Sequence, residues 1–439
     1  MAQIWNKFSR KEQEEYIRYL KIFGALSGLF KDITEGANAN KPYLYYRNHE
    51  QLFAKVFDVI DLTRKDSAFD VIAKFGSDKV GVGLKTWIHT RDKTYQKIAE
   101  FNKVAPTEFA PLIEQKDYDL LIQKVAEFRN ERIKLDQRQY RTVYDIYHNI
   151  TRDDHLMNIV ETDYELIELD SLKLIEENGK TYIFTDGRNN YKFYASKSVL
   201  LMEFDASEQR VIEQIPITQF DDPFELLRMI QLPEIVYSDE PIANDEVKHD
   251  YSYTDHVIYL PIYSDTRMKV EEKSGFNAWN AAPKSKGSNI PRPEFEAYIP
   301  IPKWIHMTFP YFFGFNALNR EERNAAEPFH LHLPDGKQIK AIVTQDNGKS
   351  LQTNPQSILG KWILHDVLGL QARELLTFDH LRKLGVDSLK ITRINQQNFK
   401  IELADTFAFE KWKIDIKEKI EQSGAKMPKL RYEVLEFED

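Results

Sequence analysis

The chain has 439 residues, 42% hydrophobic and 29% charged, with 60 Lys and Arg against 69 Asp and Glu and a formal net charge of −9. That length supports two or three domains with real cores, and that charge argues against indiscriminate coating of nucleic acid, which needs a strong positive field. There is no cysteine, which excludes disulfides, thiolate chemistry and cysteine-bound zinc. No apolar run reaches the ~20 residues of a membrane span, and MAQIWNKFSRKEQEE lacks a signal-peptide core, so a soluble, cytoplasmic protein is expected.

The first element reads as a helix. SRKEQEEYIRYLKIFGALSGLF puts Tyr16, Tyr19, Leu20, Phe23, Leu26 and Phe30 near one face, with Ser9 as its cap and EGANANKP ending it. HEQLFAKVFDVIDL repeats the pattern with Leu52, Phe53, Val56, Phe57 and Ile60. FDVIAKF and KVGVGLKTWI follow as strands around a GSDK turn. From Tyr95 to about Thr151 the spacing predicts mostly charged helix. The stretch from ETDYELIELD to SVLLMEF then reads as successive strands, turning at Asn178-Gly179 and Asp186-Gly187.

Residues 208–252 are polar and proline-punctuated, end in SDEPIANDEVKHD, and read as a connecting segment. Beyond them the character changes. DHVIYLPIYS is strand-like, a long Gly-, Asn- and Pro-rich loop runs to YIPIP, and KQIKAIVTQDNGKSLQT is strand, turn and strand. SILGKWILHDVLGL and TFDHLRKLGV are short helical pieces, and DSLKITRINQQNFKIELA is a hairpin pattern. Many short strands with few helices predict a barrel. The expected class is therefore α+β. An N-terminal α/β domain spans 1–207, and a mainly β domain at 253–439 follows the 208–252 connection.

The sharpest chemical constellation is Asp70 with Lys85. Strand alternation puts Val80, Val82, Leu84 and Thr86 on one face and Gly81, Gly83, Lys85 and Trp87 on the other. A hairpin brings Asp70 and Lys85 to one side of a sheet edge. Phosphodiester cleavage uses a carboxylate to hold Mg²⁺ and a lysine to orient water and offset developing charge. Glu50, on the preceding helix, is a second acid.

The set Glu50, Asp70, Lys85 resembles the PD-(D/E)XK nuclease core, with FDV and GVGLKTW similar to versions found in restriction enzymes. The resemblance implies an N-terminal nuclease domain, Mg²⁺ held by Asp70 and Glu50, and Lys85 acting on water. It covers residues 45–90 best. It departs at Gly83, where the pattern carries an acid two residues before the lysine. His49 and Asp66 are weaker polar candidates, read as helix-start and turn residues. Arg188, Asn189, Asn190, Lys192, Ser196, Lys197 and Ser198 form a set suited equally to phosphates or to a solvated strand edge. HNIT and RDDH lack an HNH framework, no HxK motif occurs, and the absence of GxxxxGK[ST] predicts no use of ATP.

Three pieces between about 255 and 407 carry a second resemblance: LPIYSDTRMKVEEKSGFNAWNAAPKSKGSNIPRPEFEAYIPIPKWI, AIVTQDNGKSLQT, and SILGKWILHDVLGL with TFDHLRKLGVDSLKI. Together they are similar to the DNA-recognition pseudobarrel of a group of restriction endonucleases and, more distantly, of plant transcription factors. That resemblance implies a seven-stranded barrel whose two arms enter the major groove. The residues read the same way. The first arm offers Lys273, Ser274, Asn277, Trp279, Asn280, Lys284, Lys286, Asn289 and Arg292, suited to phosphates, adenine and guanine edges. The second offers Gln345, Asp346, Asn347 and Lys349 around Gly348, with Asp346 suited to cytosine N4. YIPIPKWIHMTFPYFF and LGKWILHDVLGL read as core, His365 included.

Together these features predict a type II restriction endonuclease that hydrolyses double-stranded DNA with Mg²⁺, working as a homodimer on DNA if both strands are to be cut. The rivals are a noncatalytic sequence-specific DNA-binding protein, for which Gly83 speaks, an endonuclease reading modified bases, and an RNA-processing enzyme.

Overall fold

The computed structural model describes residues 3–32, 34, 36–63, 65, 67–228, 256–264, 269–281 and 291–422. Asp66, the acidic SDEPIANDEVKHD stretch, and Lys284, Lys286 and Asn289 of the first arm lie outside the described residues. The chain divides into two compact units, Met1–Asp239 and Glu240–Asp439. Among the described residues no helix is long and apolar enough to cross a membrane.

The first unit opens with helix α1 (Arg10–Ala25), capped as its sequence requires. Ser9 accepts the Glu12 N–H while the Glu12 carboxylate takes the Ser9 N–H. Helix α2 (Tyr46–Val56) follows. The strands are β1 (Ile60–Asp61), β2 (Val71–Phe75), β3 (Asp78–Ile88), β4 (Lys93–Glu100), β5 (Tyr144–Asp153), β6 (Leu156–Asp163), β7 (Lys173–Asn178), β8 (Thr181–Thr185), β9 (Asn190–Tyr194), β10 (Val199–Asp205) and β11 (Val211–Pro216).

One six-stranded sheet runs β1-β2-β3-β5-β6-β11. Only β3 and β5 pair in parallel, and the connection between them carries the long helix Tyr118–Tyr140, as a parallel crossover requires. The sheet is buried on both faces. Tyr16, Leu20, Phe53 and Phe57 pack with Val80, Val82 and Leu84 on one side. Leu121, Val125, Phe128 and Ile133 of the long helix pack with Phe69, Ile72 and Tyr147 on the other. Beyond that helix lies a second, five-stranded sheet, β4-β10-β9-β8-β7, whose Tyr182, Phe184, Phe193 and Phe204 enter the same core.

Three expectations change here. Strands β4 and β5 stand at the two ends of the region expected to be mostly helix; β5 is central and buried on both faces, so its sequence shows no alternation. The β11 strand pairs with β6, so the first unit runs past residue 207 and the 208–216 stretch is not a bare connection. The N-terminal unit is a mixed sheet joined to a second antiparallel one, and not purely the α/β nuclease-like domain expected.

The second unit is one seven-stranded sheet, ordered β12-β17-β18-β14-β15-β16-β13. Its strands are β12 (Val257–Pro261), β13 (Ile299–Pro300), β14 (Phe329–His332), β15 (Gln338–Thr344), β16 (Ser350–Thr353), β17 (Val386–Arg393) and β18 (Asn398–Asp405). All pairs are antiparallel except β14 with β18. The end strands β12 and β13 approach each other, so the sheet nearly closes into a barrel. Leu260, Ile299, Leu331, Val343, Leu351, Ile391, Phe399 and Ile401 fill its interior. YIPIP supplies the edge strand β13, where proline is tolerated. Trp304, Ile305, Phe309, Phe312 and Phe313 after it are buried, as their sequence predicted. Trp412, on the Ala408–Gln422 helix, packs on Tyr259, Trp304 and Phe309.

Candidate functional site

Two groups of residues carry chemistry, one in each unit. In the first, β2 and β3 form the tight hairpin expected, with Phe75 opposite Asp78 and Gly76 turning the chain at φ +63°. Closing this hairpin places Asp70 beside Lys85. Asp70 Oδ2 accepts the Leu84 N–H at 2.6 Å and lies 3.9 Å from Lys85 Nζ, both side chains about a quarter exposed. Glu50, in the second turn of α2, lies near enough for both to bear on its ionisation. Burial, then the Asp70 charge, raises its pKa to about 7 against the opposing pull of Lys85 and Arg47. The structure thus pairs Asp70 with Lys85, 15 residues apart in sequence, and the charges of both bear on Glu50, 20 residues before Asp70.

It does not supply a third acid. Gly83 stands opposite Tyr147 in the β3–β5 pairing. Tyr147 stacks on Tyr164 with ring centroids 3.9 Å apart. These rings fill the space a side chain at position 83 would need. Among the described residues no group of three or more His, Cys, Asp and Glu is placed to hold a metal ion. The expected Mg²⁺ site on Asp70 and Glu50 is therefore corrected. Two carboxylates converge rather than three, and the ammonium of Lys85 sits against one of them.

His49 turns inward and joins a buried chain that sequence reading missed. Tyr16 Oη lies 2.7 Å from His49 Nε2 and 3.3 Å from His148 Nε2. His148 Nδ1 is 3.0 Å from Glu161 Oε1. The Glu161 carboxylate also accepts the N–H groups of Ile4 and Trp5 at 2.9 and 3.1 Å. Burial, then the neighbouring His148, holds the His49 pKa well below its ordinary value. This network ties the start of the chain to α1, α2 and the central strands. Its members are far apart in sequence, and no spacing announces it. The Arg188 to Ser198 set is also engaged internally. Arg188 pairs with Glu165 and Glu168, Asn190 donates to Glu203, and Lys192 sits over the Tyr95 ring.

In the second unit, the β15–β16 connection projects a compact turn. Gln345, Asp346, Asn347 and Lys349 are all exposed, whereas Gly348 is buried. Gln345 and Asn347 take φ +66° and +57°, and Gly348 takes φ +66°. A Cβ at Gly348 would come within about 3 Å of Ala317 and His306, so glycine is required by backbone and by space alike. The buried His306 ring donates from Nε2 to the Gly348 carbonyl at 2.7 Å, which anchors the turn from beneath. Four polar side chains are thus held outward on a fixed base.

The first arm is different. Lys273 is exposed and Ser274 half-buried. Asn277 is 1% exposed. Its amide donates to the carbonyls of Glu271 and Leu376, and its oxygen accepts the Leu376 N–H at 2.8 Å. Asn280 donates to the Glu374 carbonyl at 2.7 Å. Trp279 is buried beneath the Arg373 guanidinium, 3.7 Å from its ring centroid. Arg292 pairs with Glu296 at 2.7 Å. Asn277, Asn280 and Trp279 therefore build the arm, and the base-reading roles expected of them are corrected. Paired polar loop residues look alike in sequence whether they face DNA or satisfy buried backbone. His365 is structural as expected, with Nδ1 3.1 Å from the Leu370 carbonyl.

The second unit is thus a nearly closed seven-stranded barrel with an exposed polar turn, and its match to a family model marks it as a B3-like DNA-recognition pseudobarrel. A family model described as the NgoFVII C-terminal B3-like DNA-binding domain matches residues 253–395. No curated protein matches the chain.

Proposed function

We propose that this chain is a sequence-specific double-stranded DNA-binding protein that reads bases with the β15–β16 turn of its C-terminal barrel. The observation that carries this reading is the outward set Gln345, Asp346, Asn347 and Lys349 on a domain matched as a DNA-binding module. Gln and Asn pair with adenine edges, and Asp accepts from cytosine N4. An aspartate at such a tip is disfavoured by phosphate, so it suits a position inside the groove. Lys273 and Ser274 are suited to the flanking phosphates. Arg292 takes part through its pairing with Glu296, as a support of the arm. Selection from a pool of random duplexes tests the reading. It predicts one enriched sequence, lost when Gln345, Asp346 and Asn347 are changed to Ala together. Equal retention of all duplexes overturns it. Competition by duplex RNA should be weak, because its deep major groove is too narrow for such a turn.

A second reading is favoured by one observation, the contact of Asp70 with Lys85, whose charges bear on Glu50. In it the first unit hydrolyses phosphodiesters of the DNA that the barrel selects. Glu50, ionising near neutrality, takes a proton from attacking water, and Lys85 offsets charge developing on the phosphate. Cutting both strands with one such site per chain would call for two copies on the DNA. A complex DNA mixture incubated with purified protein, with and without added divalent ions, tests this when every new end is sequenced. Discrete ends that vanish in Lys85→Ala support it. Intact DNA under all conditions sinks this reading and leaves the first in place.

A further inference from the structure

The segment leading into α2 exposes a run of aromatic rings whose place beside Glu50 has a use. The sequence KPYLYYRNHE starts it. Leu44 is buried at 3%, and Tyr45 is extended, so burying Leu44 turns the side chains of Tyr43 and Tyr45 away from the core. Tyr45 and Tyr46 are 39% and 48% exposed, and Phe30 is 53% exposed. The rings are nonetheless ordered against one another. Phe30 stacks on Tyr43 with centroids 5.4 Å apart, and Tyr45 meets Tyr46 edge-to-face at 4.6 Å. Arg47 donates from Nε to Tyr46 Oη at 3.2 Å and lies over that ring.

An aromatic side chain buries ~150–250 Å² when it packs. Tyr45 and Tyr46, adjacent in sequence and both exposed, forgo that stabilisation, and exposed aromatic rings held against one another in this way mark a contact site. Their neighbours indicate the partner. Arg47 stands at the end of the aromatic run, bound to Tyr46, and its charge, with that of Lys85, bears on the Glu50 carboxyl. Faces for stacking next to cations for phosphate make up the chemistry by which proteins hold an unstacked nucleotide. The charges of Asp70 and Asp61 also bear on Glu50. Lys85 faces the first, and Glu50 is only partly ionised near neutrality, which limits their repulsion of phosphate.

We infer that Tyr45, Tyr46 and Arg47 form a second DNA contact, in the first unit, in which the rings stack an unpaired base of the bound DNA and Arg47 holds its phosphate. The identity of the polymer rests on the DNA-binding reading of the barrel. The contact itself requires no cleavage.

The full-length chain tests it with two probes. The first is a duplex carrying the sequence selected by the barrel and a 3′ single-stranded tail with 5-iododeoxyuridine at successive positions. The second is the same duplex without a tail. Photocrosslinks from the tail are expected on the peptide holding Tyr45 and Tyr46. The double change Tyr45→Ala, Tyr46→Ala is expected to lower affinity for the tailed duplex about tenfold and to leave the blunt duplex unchanged. Tyr45→Phe with Tyr46→Phe, which keeps the rings, is expected to bind within about twofold of the parent, since stacking needs only the π-face. Crosslinks that fall elsewhere, or equal affinity of parent and Ala variant for the tailed duplex, overturn this inference while blunt-duplex binding still reports on the barrel. Failure of the parent to hold the blunt duplex strikes the barrel reading instead.

Discussion

Gly83 and Tyr147 face each other across the parallel β3–β5 pair, and a Cβ added to Gly83 would lie 2.7 Å from carbons of the Tyr147 ring. Position 83 is thus closed to any side chain by the first unit's own core. Placing an acid there with Gly83→Asp is expected to destabilise the protein by about 3 kcal/mol or more, from overpacking and from an unpaired buried carboxylate. Urea unfolding followed by tryptophan fluorescence checks this. A Gly83→Asp protein as stable as the parent would show that the Tyr147–Tyr164 stack yields easily.

Glu50 makes a pH-dependent contribution with a definite sign. Its folded pKa, about 7, lies above the ordinary 4.5 because of burial and the Asp70 charge. Between those values the folded state holds a proton that the unfolded state has released, so ionising Glu50 disfavours folding as pH rises through that window. Glu50→Gln should therefore match the parent near pH 4, gain stability relative to it up to about pH 7, and hold that gain at higher pH. Thermal melts of both proteins across that range would show it. A difference independent of pH would mean that Glu50 is not held in this way.

Asn277 ties the first arm to the backbone of Glu271 and Leu376. Asn277→Ala leaves those buried groups without partners, at a cost of about 3 kcal/mol. Denaturation monitored by loss of barrel-dependent DNA retention should show the second unit weakened, with affinity at low denaturant little changed. A large loss of affinity without a loss of stability would instead restore Asn277 to the DNA surface.

Asp346 and Lys349 share the exposed turn and should fail differently. Lys349→Ala is expected to weaken all duplexes alike and to reduce the slope of log affinity against log salt by about one. Asp346→Ala is expected to relax preference at one base pair, worth about 1–3 kcal/mol, with little loss on unrelated sequence. Salt titrations beside repeated selection separate the two.

Local signals were legible where short-range chemistry decides the outcome. The Ser9–Glu12 cap, the Gly76 hairpin, the turns at Asn178-Gly179 and Asp186-Gly187 and the polar β15–β16 turn all depend on neighbours within a few residues. The pairing of Asp70 with Lys85 was legible for the same reason, since one hairpin joins them. Tyr144–Asp153 was not, because a strand buried on both faces carries no alternation to read. Nor was the Tyr16–His49–His148–Glu161 chain, whose members meet only when α1, α2 and the central strands pack.

The sequence by itself determined the class of chemistry available: no thiols, a polar turn between two strands, and an acid and a lysine one hairpin apart. Only the tertiary structure decided which polar residues are free to act. Asn277, Trp279 and Asn280 share their composition with a DNA-reading loop but lie buried, and the space at Gly83 is taken by Tyr147. The physical reason is that a side chain's role follows from what surrounds it. Burial spends an amide on backbone groups that would otherwise go unsatisfied, whereas the same amide on a projecting turn remains available to a partner.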